Sequence, residues 1–393
     1  MNRIAALSFL LLAFSGGAPG VAQDGARPLY RTSYRVVDIH HHCDGPDADA
    51  MRARMELLDR SGVCAVANLD AGRVEGTLPA WIELQKTYPG RIVLFPKFTR
   101  KDFEGIKEPG FFDGLVRELR RAAERGARGV KIWKDLGMFI RDESGKLLRI
   151  DDPRLDPFWT TCGDLGLVVF MHSADPREYW YPLTLNSLHY GARTEEDQYY
   201  KIPGMPRWED LIAQRDAVLA KHPKTTFIGA HFASMTLDLS GLAERLDRYP
   251  NLHVECGARL RMLGRLNPKA VRDFFTKYQD RILFGTDIGG LLAGRKSKTR
   301  NFLEYGIDDP DWNRIDPKDV DAVRRWQDRQ ALSYSRYFEY FETDRIDLIE
   351  PGGFGAEWMR LAGVKLPPDI LEKLYHANAE RLIPDFAKAP ARK

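Results

Sequence analysis

Four of the nine histidines in the chain fall where short apolar runs end. His40 and His42 close the run 36–42, His172 closes 167–172 and His231 closes 226–231. Asp287 closes a fourth such run, 282–287. Neutral imidazole and carboxylate are donors that zinc and similar divalent ions take. Three histidines and one aspartate around an ion leave a position for water, which marks a catalytic metal site rather than a closed structural one. A lone histidine at a strand end is more often structural. Five metal-compatible residues at four run ends point instead to a metal centre.

These residues are far apart in sequence, so the fold has to bring them together. Eight apolar, β-branched runs are legible: 36–42, 64–69, 92–98, 129–133, 167–172, 226–231, 252–256 and 282–287. Helical patterns lie between them at 50–60, 78–87, 112–124, 153–165, 208–221, 239–248 and 268–278. In the pattern 208–221, Trp208, Leu211, Ile212, Val218 and Leu219 share one face. Such alternation argues for βαβ units and a parallel sheet. The 250 residues from Asp38 to Asp287 suit an α/β fold of the (β/α)8 TIM-barrel type. An open doubly wound sheet would carry a Gly-rich phosphate loop after its first strand; here that strand ends in three histidines. In a barrel the C-terminal strand ends share one mouth, so all five residues converge there. His40 and His42 have the same strand parity and enter the barrel, while His41 points to the outer helices. By the same parity Asp38 faces inward, deeper than His40, as a core residue rather than a ligand.

Two connections are too long for plain loops, one after strand 5 and one after strand 8. The first, 173–207, holds Tyr179, Trp180, Tyr181, Tyr190, Tyr199 and Tyr200, and also His189, a candidate to reach the pocket. It reads either as a lid over an apolar or aromatic substrate or as a surface excursion that makes homo-oligomer contacts. The second, 288–316, contains the basic run 295–300. A helical region follows at 318–342, and the tail 368–383 reads as a final helix across the barrel.

Composition narrows the class. The chain has 393 residues, 44% hydrophobic and 29% charged, with a net charge of +3. That excludes the disordered class and gives no electrostatic case for nucleic acid or an anionic membrane as partner. Residues 1–22 read as a signal peptide: one basic residue, a short apolar stretch, then small residues ending Gly20-Val21-Ala22. The apolar stretch is too short to span a membrane. The expectation is an exported protein, periplasmic or secreted, with an extension at 23–35 and a barrel domain at 36–386. Cys43, Cys64, Cys162 and Cys256 are too widely spaced for a disulfide framework and read as reduced, structural thiols.

Val37-Asp38-Ile39-His40-His41-His42, Phe170-Met171-His172, Ile228-Gly229-Ala230-His231 and Leu283-Phe284-Gly285-Thr286-Asp287 together resemble the motifs of the amidohydrolase superfamily. The likeness is to its amidohydrolase-related branch, which includes aminocarboxymuconate-semialdehyde and resorcylate decarboxylases. The ending Asn378-Ala379-Glu380-Arg381-Leu382 is similar to that branch's usual tail. The resemblance spans residues 36–383. It implies that His40, His42, His172 and Asp287 bind one divalent metal ion, zinc first, and that His231 lies beside the metal-bound water to orient it or polarise the substrate. It further implies that Asp287 passes the proton of that water to a leaving group. Lys131 on the fourth strand is read as a substrate-binding or electrostatic residue. If it is carbamylated, as on that strand in some members, it bridges a second ion. Lys134 is a weaker candidate of the same kind. Arg259, after the seventh strand, is read as a clamp for a substrate carboxylate. Glu255 is read as able to orient a neighbour.

The resulting expectation is a metal-dependent hydrolase acting through activated water on an amide, lactone or ester carbonyl. The substrate would be a small molecule, carboxylated or aromatic. The first rival is a non-oxidative decarboxylase of an aromatic or related carboxylic acid, which uses the same ligands. The second is an exported binding protein that has lost catalysis.

Overall fold

Eight parallel strands carry the run ends found in the sequence. In the computed structural model they are Val37–His41, Ala65–Asn68, Ile92–Leu94 with Lys97–Phe98, Gly129–Ile132, Val168–Met171, Phe227–Gly229, Leu252–Glu255 and Ile282–Leu283. The described residues are 28–390 except 183, 185–186, 188–197, 291–314 and 351–358. The expected leader 1–22, the basic run 295–300, His189 and Tyr190 lie outside them.

Each strand pairs in parallel with the next. The third strand is broken at Phe95-Pro96, because proline has no N–H for the ladder. Both sides stay bonded all the same: Phe95 N–H donates to Asn68 O at 3.0 Å, and Lys131 N–H donates to Pro96 O at 2.8 Å. The last strand returns to the first. Ile39 N–H donates to Phe284 O at 3.0 Å, Asp287 N–H to His40 O at 2.8 Å and His42 N–H to Ile288 O at 2.8 Å. These bonds close the ring, as the (β/α)8 expectation requires.

The strands separate two cores. Val37, Ile39, Ala65, Ala67, Val93, Phe95, Val168, Phe170, Ile228 and Leu283 form one buried cluster with Ala379, Ile383 and Phe386 of the tail. This is the barrel interior, plugged at its N-terminal end by the C-terminal segment. Val66, Leu94, Val130, Val169, Met171 and Val254, of the opposite parity, pack with the helices. The expected tail helix is present, running through Pro368–Glu372, a π turn Lys373–Ala377 and Asn378–Leu382 with helical backbone at both junctions. It is tied down where Phe284 N–H donates to Leu374 O and Asn378 Nδ2 donates to Ile282 O, both at 2.9 Å. All four cysteines are buried and unpaired. Among the described residues no helix is long and apolar enough to cross a membrane.

Asp38 departs from the parity expectation. The pairing register shifts between Asp38 and His41. An irregularity of this kind changes which side chains face which way, and Asp38 meets the helix layer instead of the barrel interior. Its carboxylate accepts from His40 N–H and Thr286 N–H at 3.1 Å each, the Thr286 hydroxyl at 2.5 Å and the Tyr334 hydroxyl at 2.7 Å. His41 faces outward as expected, with Nδ1 3.3 Å from Asp38 and Nε2 accepting from Arg54 at 2.8 Å. Asp38 therefore pins the seam between the first and last strands to the helix Val320–Glu342. Asp38→Asn exchanges an acceptor-only group for one carrying two donors in a fully buried, donor-rich site. It is expected to lower unfolding free energy by about 3 kcal/mol in urea titrations. An unchanged urea midpoint would show that this seam is not held by the carboxylate.

Candidate metal centre

The C-terminal strand ends bring His40, His42 and Asp287 into one group whose ligand atoms all lie within 4.8 Å of one another. Asp287 Oδ1 is 3.0 Å from His40 Nε2 and 3.2 Å from His42 Nε2. His231 joins from the turn after the sixth strand, its Nε2 3.8 Å from Asp287 Oδ2. A second group of the same tightness is His40, His231 and Glu255. His172 lies alongside, its ring centroid 4.7 Å from that of His231, but its nitrogens belong to neither group.

The local chain explains how these side chains are aimed. After the strand Phe227–Gly229 the backbone turns left-handed over four residues, His231, Phe232, Ala233 and Ser234, with φ between 51° and 63°. Non-glycine residues rarely hold this conformation, at about 1–2 kcal/mol each. Here Glu255 Oε1 accepts His231 N–H at 2.6 Å, the Thr236 hydroxyl donates to His231 O at 3.2 Å, and the Ser234 hydroxyl donates to Ala174 O. Asp287 is also left-handed, at φ 67°.

Glu255 is the hub beneath the site. It is fully buried; Oε1 takes His40 Nδ1 at 2.9 Å as well as His231 N–H, and Oε2 takes Gly257 N–H. Burial alone would raise its pKa, but His40 and the two backbone amides hold it lowered. Two glycines make room for the pair. A Cβ on Gly257 would stand 2.7 Å from Glu255 Oε2 and 3.0 Å from His40 Nδ1. One on Gly285 would stand 2.6 Å from the same oxygen and 2.8 Å from His40 Cβ.

Three of the four histidines share one pattern. Nδ1 is occupied by an acceptor and Nε2 looks to the centre. The acceptor is Glu255 for His40, Asp70 for His42 at 2.9 Å, and Gly257 O for His231 at 2.8 Å. Asp70 is in turn held by Lys97 Nζ at 2.7 Å. Such outer partners fix the ring and raise its basicity as a ligand. Sequence reasoning passed over Asp70 and Lys97. The signal was available, because Asp70 follows the second strand and Lys97 lies at the end of the third, at the same rim.

Without an ion the charges are sharply distributed. Burial disfavours charge on His42, yet Asp70 and Asp287 outweigh it and raise the pKa to about 9. Burial opposes ionisation of Asp287, but His40, His42 and His231 hold its carboxyl well below the usual range. Burial and then the charge of Arg259 keep His231 neutral. Its proton sits on Nδ1 against a carbonyl, so Nε2 presents a lone pair. His231 is thus built to orient a donor through that lone pair, more than to hold a proton or to donate to an oxyanion.

His172 supplies the test of fit. Both of its ring nitrogens are buried and neither has a hydrogen-bond partner among the described residues. An orphaned imidazole packed on His231, beside the group His40, His42 and Asp287, adds a donor of the kind a divalent ion satisfies. The residues present fit such an ion. Lys131 is fully buried with Nζ 3.5 Å from His40 Nε2, and burial pushes its ammonium down to about 7. Arg259 is 7% exposed, its Nη1 donates to Ala258 O at 2.9 Å, and no carboxylate pairs with it among the described residues.

A family model described as Amidohydrolase matches residues 37–384. No curated protein matches the chain. Among solved structures it is similar to a dihydroxybenzoic acid decarboxylase from Polaromonas sp. JS666 with bound manganese and 2-nitroresorcinol (15% identity, 89% of this chain and 96% of that one, TM-score 0.48). It is also similar to a 5-carboxyvanillate decarboxylase from Sphingomonas paucimobilis (13% identity, 90% and 99%, TM-score 0.46). A dihydroorotase from Campylobacter jejuni is a further match (12% identity, 85% and 94%, TM-score 0.41).

Proposed function

Because the chain belongs to the amidohydrolase family, a metal-dependent enzyme family, we propose that it is a carboxy-lyase that removes CO2 from a small carboxylated ring compound. Hydrolysis, the first expectation from the sequence, becomes the second reading. The observation that carries this order is Arg259: a nearly buried guanidinium at the mouth, beside His231, with no carboxylate partner among the described residues. Such a cation is stabilised by an anionic ligand, and its planar fork suits a carboxylate.

The reaction balances as a carboxylate plus one proton giving CO2 and a C–H bond. The C–C electron pair passes to the ring carbon, which then takes the proton. A divalent ion bound at the centre would supply positive charge to polarise a substrate oxygen. The chain's own part is to hold the carboxylate at Arg259 and to manage the proton. Asp287 keeps 27% of its side chain exposed, whereas those of His40 and Glu255 are fully enclosed. It is therefore the most accessible of the three to a substrate. The ionised Asp287 carboxylate and the lone pair of His231 Nε2, 3.8 Å apart, both face the mouth, where the carboxylate is the group placed to take and return the proton.

The test is a screen of ring carboxylates with zinc- or manganese-loaded protein, reading CO2 and the decarboxylated product. For a substrate that is turned over, Arg259→Met is expected to raise KM by roughly 10- to 100-fold with a smaller change in kcat. Two products formed with uptake of one water would overturn the reading. Lys131 favours that hydrolytic outcome on one specific ground. An amine with pKa about 7 beside His40 is partly neutral and able to take up CO2 as a carbamate. Two ions per chain in metal analysis would select it; one ion would not.

A further inference from the structure

Beside His172 lies a buried carboxylate that the reaction above does not use. Asp175 is 5% exposed. Its Oδ2 accepts from Lys134 Nζ at 2.5 Å and from the Tyr199 hydroxyl. Its backbone carbonyl accepts from Trp208 Nε1 at 3.2 Å. Oδ1 is left facing His172 Nε2 at 3.6 Å. That distance is an electrostatic contact, too long for a hydrogen bond, and a small side-chain shift would close it.

Three segments fix this carboxylate. Lys134 stands just past the fourth strand, Asp175 just past the fifth, and Tyr199 at the far end of the long connection. Tyr199 is itself packed on Trp180, with ring centroids 4.7 Å apart, and on Tyr179 at 5.9 Å. The arrangement at His172 is the reverse of that at the other three histidines. There the acceptor sits on Nδ1; here the carboxylate faces Nε2. A neutral imidazole has one N–H and one lone pair, and the nearer acceptor decides which nitrogen keeps the proton.

We propose that Asp175 is a positioning residue that holds His172 with its proton on Nε2, leaving Nδ1 as the nitrogen that binds the divalent ion, and that Tyr199, packed on Trp180, helps to hold that carboxylate. The inference rests on the metal-centre reading and not on the loss of CO2.

Zinc affinity, measured by chelator competition without substrate, tests it. Asp175→Asn is expected to weaken zinc binding by roughly 10- to 100-fold. Tyr199→Phe, which leaves Lys134 to hold the carboxylate, is expected to weaken it by roughly 3- to 10-fold. Arg177→Ala, an exposed change in the same connection, should leave it unaltered. In the zinc-loaded wild type with 15N-labelled imidazoles, the His172 signal, identified by its loss in His172→Asn, should show a protonated Nε2 and a zinc-shifted Nδ1. A natively folded Asp175→Asn protein with wild-type zinc affinity would overturn the proposal, and so would zinc on Nε2. If Asp175→Asn does not fold, Tyr199→Phe and the wild-type spectrum still decide. Neither readout involves turnover, so a failure here and a failure of the carboxy-lyase reading are separate results.

Discussion

Asp287→Asn is expected to lower kcat at least about a thousandfold in zinc-saturated protein while the fold persists. Asp287 is the residue that three of the histidines at the mouth face. Its Oδ1 faces the Nε2 atoms of His40 and His42, and its Oδ2 faces His231. The amide keeps the size and one acceptor oxygen but cannot hold a proton. General acid–base action alone is worth 10²–10⁴ in rate, and weaker metal binding adds to the loss. The backbone at this position, left-handed with φ 67°, is tolerated by asparagine better than by most residues, so the change tests chemistry more than folding. The measurement is single-turnover kinetics at saturating zinc, with metal content and melting temperature in parallel. A rate within tenfold of wild type at full metal loading would remove Asp287 from proton transfer and pass that role to His231.

The barrel and the rim were legible in the sequence for a common reason. Strands alternate with period two, and helices return each strand to the same end. A histidine or aspartate closing an apolar run must therefore stand at the mouth. Where that reasoning failed, it failed through a local event. Asp38 has the parity of His40, yet the register shift after it sends its carboxylate to Tyr334. His231 was read as a strand end, and the structure instead places it on a four-residue left-handed turn with no glycine to announce it. The supports were harder still. Lys134, Asp70 and Lys97 are placed at the rim by the strand pattern, but their pairing with Asp175 and His42, and that of Asp175 with His172, comes only with the fold. Glu255 was suspected as an orienter. Its grip on both His40 and the backbone of His231 depends on the space left by Gly257 and Gly285, a fact of packing that periodicity does not encode.

Acid should destabilise the metal-free protein steeply between pH 6.5 and about 4. Burial, with help from Arg54, lowers His41 to about 4. Burial likewise lowers His172 to about 4 and, with Arg281 and Arg381, His253 to about 3. His231 is held well below its ordinary value. In the unfolded chain each of these histidines takes up a proton near pH 6.5. The folded state refuses it until much lower pH, so the unfolded state binds more protons throughout the window. Stability is therefore fully present above pH 6.5 and is lost as pH falls toward 4. Four such groups give a slope of up to roughly 5 kcal/mol per pH unit, comparable with a domain's whole stability. His42 acts in the opposite sense: raised to about 9, it favours the folded state below 6.5 and loses that contribution as pH rises through 9. It adds little slope in the acid window. Urea unfolding of chelator-treated protein at pH 7, 6 and 5 measures the effect. His41→Gln separates it from metal chemistry, because His41 faces Asp38 and Arg54 and not the centre. That variant should remove roughly a quarter of the slope. Equal stability at pH 7 and 5 would mean that the folded protein takes these protons as readily as the unfolded chain. The neutral, lone-pair-bearing imidazoles required at the rim would then not exist in the resting protein.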